Sequence, residues 1–200
     1  EMKEWLWAQS SENVVVELLN QNIGKGDAIN NSFYKTRESD YIISIDSDIV
    51  NKRHINWIDM FVDVMEYDNQ WGVIACDFKD GDGLNIHIKR HLKRKEKVDN
   101  YNIKWGGLGI GGCAIIMRSS EFRKINGYNN SDIFTGHDGT LMKQVNQILR
   151  KRCGVCSEAI LYHPSANTKV EKEYQAWKHE KAGRKIKWNK TPDTGFYENQ

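Results

Sequence analysis

Short runs of apolar residues stand out along the chain, each bounded by polar or glycine-containing sequence. They are rich in β-branched and aromatic residues and too short for most helices, which is typical of strands that a sheet buries on both faces. The runs lie at Val14–Leu19, Tyr41–Ile45, Trp71–Phe78, Ile110–Met117 and Val155–Tyr162. Between the third and fourth runs, residues 79–104 form a long polar and charged excursion.

Segments between the runs carry apolar residues at helical spacing. The clearest stripe, within residues 55–67, consists of Ile55, Ile58, Phe61, Val62 and Met65. Further helices are expected over residues 26–36, 119–125, 138–149 and 171–182. Because apolar strands separated by helices indicate a covered parallel sheet, the sequence predicts an α/β fold with a mainly parallel, Rossmann-like central sheet flanked by helices on both faces. Ligands of such sheets bind at the carboxyl ends of the strands.

The composition is that of an ordinary folded domain. Of 200 residues, 39% are apolar and 28% are charged, and the net charge of +2 does not by itself indicate a polyanion as partner. No apolar run approaches the length that spans a bilayer, and no signal-peptide pattern is present, so we expect a cytoplasmic protein. Of the four cysteines, only Cys153 and Cys156 form a C-x-x-C pair. A structural zinc site takes about four ligands, so reduced thiols are the favoured interpretation.

The strongest candidate for chemistry is Asp46-Ser47-Asp48, which directly follows the apolar run Tyr41–Ile45. Its two carboxylates therefore lie at the carboxyl end of a predicted strand, where a ligand is expected. Hard divalent cations such as Mg²⁺ often bind one or two carboxylates together with phosphate oxygens. The spacing suits a division in which one aspartate binds a metal ion and the other holds a ribose hydroxyl or a metal-bound water. A bare D-x-D is common, and the alternative is an aspartate pair that caps a turn.

Four segments, in this order, resemble the large family-two group of inverting glycosyltransferases with the A-type fold (GT-A). Residues 22–30, NIGKGDAIN, resemble that family's N-x-G-x-x-x-A-x-N stretch, and residues 44–48 resemble its metal-binding D-x-D. Residues 111–118, GGCAIIMR, followed by residues 122–128, FRKINGY, resemble its glycine-bearing strand and the F-x-x-x-G-G-F/Y sequel. Residues 134–141, FTGHDGTL, resemble the segment that usually carries Glu-Asp, although a histidine replaces the glutamate here.

The resemblance implies a role for each matching residue. Asp138 is the general base that deprotonates the acceptor hydroxyl. Asp48 is the first metal ligand, Asp46 supports it through the ribose or the metal shell, and His163 at the end of the last strand is a third ligand. The further donor-side candidates are Asn22, Lys25, Asn30, Gly111, Gly112 and His137.

Three of these residues also have a structural interpretation. Asp138 opens a predicted helix, where an aspartate at the N-cap is favoured in any protein. His163 is also interpretable as a hydrogen-bonded histidine at a strand end, and Lys25 as an exposed lysine in a turn. The sequence alone does not separate these interpretations from the functional ones.

The resemblance further implies a Mn²⁺ or Mg²⁺ ion as cofactor and a UDP-sugar, or another nucleotide-diphosphate sugar, as donor. The acceptor is a glycan, a lipid-linked sugar, a protein or a modified nucleic-acid base. Residues 1–165 are expected to form the catalytic core, and residues 166–200 a C-terminal helix and tail of the same domain. Such folds begin with a strand, a helix and a second strand ahead of the segment at Val14, so we expect this opening unit to be lacking here.

Other functions remain open. The basic run at residues 89–95, KRHLKRK, and the basic stretch at 178–190 are typical of a module that binds nucleic acid or another polyanion. They also suit a transferase with modified DNA or another anionic acceptor, although most such runs are solvated surface. A sugar-phosphate nucleotidyltransferase and a family member that binds donor without transferring it are further alternatives. A polyanion-binding module predicts binding that weakens steeply with salt and ignores metal and nucleotide-sugar.

Overall fold

The computed structural model describes residues 2–35, 39–80, 82–83, 92–106, 110–129, 137–164 and 168–181. Within these ranges the helices are α1 (Met2–Ala8), α2 (Lys25–Lys35), α3 (Trp57–Tyr67), α4 (Ser119–Lys124), α5 (His137–Ile148) and α6 (Lys169–Lys181). The strands are β1 (Tyr41–Ile45), β2 (Trp71–Asp80), β3 (Arg94–Val98), β4 (Tyr101–Trp105), β5 (Ala114–Arg118) and β6 (Arg152–His163). None of these helices has the length and apolar character that a bilayer crossing requires.

The strands form one six-stranded mixed sheet in the order β1-β5-β2-β6-β4-β3. β5 pairs antiparallel with both β1 and β2, and β4 pairs antiparallel with both β6 and β3. Among the described strands, only β2 and β6 are parallel neighbours. The prediction of a mainly parallel, Rossmann-like sheet is therefore wrong. It failed because a run of apolar residues reports burial on both faces, whereas the direction of a strand depends on its connections.

Strand direction nevertheless collects several chain segments at one edge of the sheet. Each antiparallel step reverses the direction, so β1, β2 and β6 run the same way and β5 runs against them. The carboxyl ends of β1, β2 and β6 and the amino end of β5 therefore share one edge, which we call the carboxyl edge. Residues that follow β1, precede β5 or end β6 meet there.

A hairpin occupies part of the segment that the sequence indicated as a polar excursion. β3 and β4 pair from Arg94 opposite Trp105 to Val98 opposite Tyr101, and Asp99 in the turn between them has a φ of 51°. Most residues of β3 are exposed. A charged edge strand of this kind resists pairing with another chain. The hairpin is hard to recognise in the sequence because it contributes few side chains to the core.

The β-branched run Val14–Leu19 is not a strand, contrary to the prediction. Val15 is 85% exposed, and the only ladder contact of the run within the described residues is an isolated bridge from Val14 to Ser11. Glu17 instead pairs with Lys35 at the end of α2. Strand propensity by itself does not make a strand, because the backbone groups need a partner strand.

The sheet carries a hydrophobic core on each face. On one face α3 packs through Phe61, Val64 and Met65. On the other face α2, α4 and α5 pack through Phe33, Phe122 and Met142 respectively. All six side chains are buried.

The C-x-x-C pair is divided between these two cores. Cys156 belongs to the first cluster and Cys153 to the second, because residues three apart on a strand point to opposite faces. Both are buried, and all four cysteines are free. The two thiols therefore face opposite sides of the sheet and are not placed to share a disulfide or a metal ion.

Candidate functional site

The turn after β1 carries both aspartates of the D-x-D sequence at the carboxyl edge. The Asp46 N–H donates to Cys113 O at 2.7 Å, which ties the turn to the start of β5. The Ile49 N–H donates to Asp46 O at 3.3 Å, which closes a four-residue turn. The side chains of Asp46 and Asp48 are 32% and 50% exposed and reach different neighbours.

Lys25 reaches this turn from the first position of α2. Asn22 Oδ1 accepts a hydrogen bond from the Gly24 N–H at 2.9 Å, and Gly24 has a φ of 83°. Glycine adopts this left-handed conformation at little cost, so the chain bends sharply just before the helix. Asn22, a predicted donor-side residue, thus shapes the turn that directs Lys25 toward the carboxyl edge.

The Lys25 ammonium lies among oxygen atoms from three separate segments. Its Nζ is 2.7 Å from Asp46 Oδ1, 2.9 Å from Gly112 O and 3.8 Å from Asp138 Oδ1. Burial alone would lower the pKa of Lys25, but the Asp138 and Asp46 carboxylates outweigh it and the pKa is raised. Lys25 therefore carries its positive charge at neutral pH and joins the two carboxylates.

Asp138 lies directly against the backbone of Gly112. The Gly112 N–H donates to Asp138 Oδ2 at 3.1 Å, and a Cβ at position 112 would be 1.9 Å from Asp138 Oδ1. Only glycine leaves space for the carboxylate in this position. Asp138 Oδ1 is buried and accepts no hydrogen bond from the described residues. The Asp138 side chain as a whole is 37% exposed.

Asp48 faces His163 on the other side of the turn. His163 Nε2 is 3.4 Å from Asp48 Oδ2. The pair is positioned by two backbone hydrogen bonds between neighbouring residues, from Val50 N–H to Tyr162 O at 2.8 Å and from Tyr162 N–H to Val50 O at 2.9 Å. Asp48 and His163 therefore lie side by side, and their binding of a metal ion stays a prediction.

The donor set at Asp48 and His163 fits a divalent cation. Adjacent ligands of an octahedral ion with bonds of about 2.1 Å lie about 3 Å apart, close to the separation of the Asp48 and His163 atoms. The described residues contain no group of three or more His, Cys, Asp or Glu side chains that is ready to hold a metal ion. A cation here would therefore depend on phosphate oxygens or water for its other ligands, as Mg²⁺ commonly does.

Asn30 braces two elements of the fold. Its side-chain amide donates to Tyr128 O at 2.9 Å, and its Oδ1 accepts from the Tyr128 N–H at 2.8 Å. A Cβ at Gly127 would be 2.2 Å from Asn30 Oδ1, and Gly127 has a φ of 69°. These contacts hold α2 against the segment after α4. A donor contact by Asn30 stays a prediction.

Two donor-side candidates complete the predicted set. Gly111 precedes Gly112 at the amino end of β5, so its backbone lies at the carboxyl edge. His137 is the first residue of α5, but its side chain lies outside the described residues. A role for either residue stays a prediction.

Three further residues lie next to the candidate residues in the structure, although the sequence did not indicate them. Burial and the Asp46 and Asp138 carboxylates raise the pKa of Cys113 to about 12. Burial and Asp138 likewise raise the pKa of the Tyr128 hydroxyl. Asp80 ends β2 opposite His163 and is 5% exposed. The sequence contained a signal for Asp80, because this carboxylate comes two residues after the apolar run Trp71–Phe78.

Most of the two basic stretches lies outside the described residues. Of the run at 89–95, the structure describes residues 92–95, which lead into the edge strand β3. The second stretch, at 178–190, is described only through Lys181, where α6 ends. Binding of a polyanion by these segments stays a prediction.

Neither a scan of protein-family models nor a search of curated proteins finds a match to this chain.

Proposed function

We propose that this chain carries the catalytic site of an inverting glycosyltransferase similar to the family-two group. It transfers a sugar from a nucleotide-diphosphate sugar to an acceptor hydroxyl, assisted by a divalent metal ion. The observation that carries the proposal is the convergence of Lys25, Asp46, Gly112 and Asp138 at one edge of the sheet. These residues come from four segments that resemble the same family. A D-x-D sequence that only capped a turn would not require Lys25, Gly112 and Asp138 beside it.

Asp138 is the general base in this proposal. An inverting transfer needs one carboxylate next to the acceptor hydroxyl, which loses its proton as it attacks the sugar from the face opposite the nucleotide. A carboxylate oxygen has two lone pairs, so Asp138 Oδ2 is able to accept the hydroxyl proton as well as the Gly112 N–H. The Gly112 contact fixes the direction of the carboxylate, and position in the reactive geometry is a large part of catalysis.

Asp48 and His163 hold the metal ion, and Asp46 serves the donor side. The ion, when bound, neutralises charge on the departing nucleoside diphosphate. Asp48 supplies the hard anionic oxygen and His163 Nε2 supplies a neutral nitrogen ligand, in the arrangement that the Val50–Tyr162 pairing fixes. Asp46 contacts Lys25 at 2.7 Å and is linked through that ammonium to the candidate base.

A thermal-shift screen with nucleoside diphosphates, each with and without Mn²⁺, tests the proposal. Because a ligand that binds only the native state stabilises it by about 2.7 kcal/mol at 100 times its Kd, one nucleotide with Mn²⁺ is expected to raise Tm by about 5–10 °C. Either component alone is expected to give a much smaller shift. No shift with any nucleotide in the presence of Mn²⁺ would contradict the proposal.

Two variants separate metal binding from chemistry. Asp48→Ala is expected to abolish the metal-dependent shift. Asp138→Asn is expected to keep the shift while the rate of sugar release from the matching donor falls by about 10²–10⁴-fold. Asp99→Asn is a matched control, because it removes the same charge from an exposed turn where φ is 51° and asparagine is well tolerated. Equal loss of turnover in Asp99→Asn and Asp138→Asn would refute the assignment of the base.

A further inference from the structure

We infer that Lys25 is the resident cation of the site: it joins Asp46 to Asp138 when no metal ion is bound, and it opposes the binding of a divalent ion alone. The inference rests on the proposed function in one respect, that a divalent ion binds at Asp48. It assigns Lys25 a positioning role, which acts through the two carboxylates.

The ammonium is held on more than one side. Lys25 Nζ donates to Asp46 Oδ1 at 2.7 Å and to Gly112 O at 2.9 Å, and its charge is 3.8 Å from Asp138 Oδ1. The backbone carbonyl of Gly112 is a neutral acceptor, so one hydrogen bond of the ammonium does not depend on either carboxylate. The Lys25 side chain is 28% exposed, so solvent screens its charge only in part.

Lys25 also relieves a repulsion. Asp46 and Asp138 both lie within ion-pair distance of one nitrogen atom, and like charges this close disfavour each other. Asp138 Oδ1 accepts no hydrogen bond from the described residues, so the ammonium is its nearest source of positive charge among them. Without Lys25, the aspartate turn and the start of α5 would repel each other.

A divalent ion bound at the same turn is repelled by this positive charge. Asp46 and Asp48 belong to one four-residue turn, so an ion at Asp48 and the ammonium that holds Asp46 lie on two sides of that turn and repel each other. At the dielectric constant of water, removing one unit of charge changes the affinity for a divalent ion by about tenfold at a separation of about 6 Å and by about fourfold at about 10 Å. Lys25 therefore weakens the binding of metal alone and leaves the site dependent on the diphosphate for tight binding.

The first experiment measures Mn²⁺ affinity without nucleotide, by calorimetry or by electron paramagnetic resonance of free Mn²⁺. Lys25→Met is expected to bind Mn²⁺ about four- to tenfold more tightly than the wild type, and Lys25→Arg to stay within about twofold of it. Lys35→Met is the matched control, because it removes the same charge from the far end of α2, where the partner is Glu17. If Lys25→Met binds Mn²⁺ no more tightly than Lys35→Met, the inference is overturned while the proposed function stands.

The second experiment needs no metal. In EDTA, Lys25→Met is expected to lower Tm, and adding Asp46→Asn is expected to restore part of the loss, because it removes the repulsion left behind. If the Tm losses of Lys25→Met and Asp46→Asn simply add in the double variant, the inference is overturned. If the wild type binds no Mn²⁺, the metal-dependent function fails, and this cycle still decides whether Lys25 couples the two carboxylates.

Discussion

Two charged clusters occupy opposite ends of the same sheet, and each places one cation between two carboxylates. At the amino end of β6, Arg152 donates to Glu96 at 2.6 Å and to Asp68 at 2.8 Å. At the carboxyl edge, Lys25 takes the corresponding position between Asp46 and Asp138. The side chains of the two cations are 20% and 28% exposed. Charge and burial therefore do not distinguish the clusters.

The groups around each cation do distinguish them. The Arg152 guanidinium lies 4.5 Å from the ring centroid of Trp71 and 5.0 Å from that of Trp105, so aromatic rings occupy the space beside it. Lys25 is bordered instead by the backbone of Gly112 and by a turn that carries a third carboxylate, Asp48. The same arrangement of charge is thus packed against aromatic rings at Arg152, whereas at Lys25 it is packed against a glycine backbone and polar groups, as the proposed ligand site requires.

The largest effect is expected at Gly112, whose backbone contacts Asp138 in the Lys25 cluster. Gly112→Ala would place a methyl group on the Asp138 carboxylate, which must turn away. Because displacement of a catalytic group by about 1 Å costs on the order of 10²-fold in rate, donor turnover is expected to fall by at least that factor. Tm should change little, since the end of a flexible side chain is what moves.

Gly139→Ala is the control for that substitution. A Cβ at position 139 has no described atom within 4 Å, and alanine is favoured over glycine inside α5 by about 1 kcal/mol. Turnover should stay near that of the wild type and Tm should rise slightly. A comparable loss of turnover in both variants would show that the Gly112 contact with Asp138 is not what matters.

An intermediate effect is expected when the two cations are exchanged for methionine. Arg152→Met leaves Asp68 and Glu96 without their shared cation and removes two aromatic contacts, and should lower the free energy of unfolding by about 2 kcal/mol. Lys25→Met should lower it by less than about 1 kcal/mol, because water reaches Asp46 and Asp138. Urea unfolding of both variants measures the difference. Equal losses of unfolding free energy in the two variants would contradict this distinction between the Arg152 cluster and the Lys25 cluster.

The smallest effect concerns the thiol of Cys113, which lies beside the Lys25 cluster. With a pKa raised to about 12, Cys113 is almost entirely protonated at pH 8, so alkylation by iodoacetamide should be slow. Removing a neighbouring negative charge lowers a thiol pKa, so Asp46→Asn should accelerate alkylation of Cys113 several-fold, as measured by mass spectrometry. Asp99→Asn should leave the rate unchanged. Slower alkylation in Asp46→Asn would contradict the placement of Cys113 beside that carboxylate.

The sequence predicted the individual elements well where hydrophobic periodicity was strong. β1 begins and ends at the predicted residues, Tyr41 and Ile45, and the helix predicted over residues 55–67 is α3. The same signal gave no account of the β3–β4 hairpin, whose exposed charged residues do not alternate with a clear apolar set. It was misleading at Val14–Leu19, where β-branched residues are exposed and pair with no described strand.

The carboxyl edge was predictable although the sheet was not. From the sequence, ligand-binding residues are expected at the strand ends of a mainly parallel sheet. Because β1 and β6 do run the same way, Asp48 and His163 meet, even though antiparallel β5 lies between β1 and β2. The contact of Lys25 with both carboxylates was not predictable, since it depends on the exact bend at Gly24 and on side-chain packing.

The two hydrogen bonds between Val50 and Tyr162 have a consequence for how this protein folds. They join residues separated by more than half of the chain, and closing so long a loop costs entropy that only completed strand pairing offsets. Asp48 and His163 thus become neighbours only after the final strand has docked. Nascent or partly unfolded chains lack this pair, so the proposed metal site would form only when β6 has paired with the rest of the sheet.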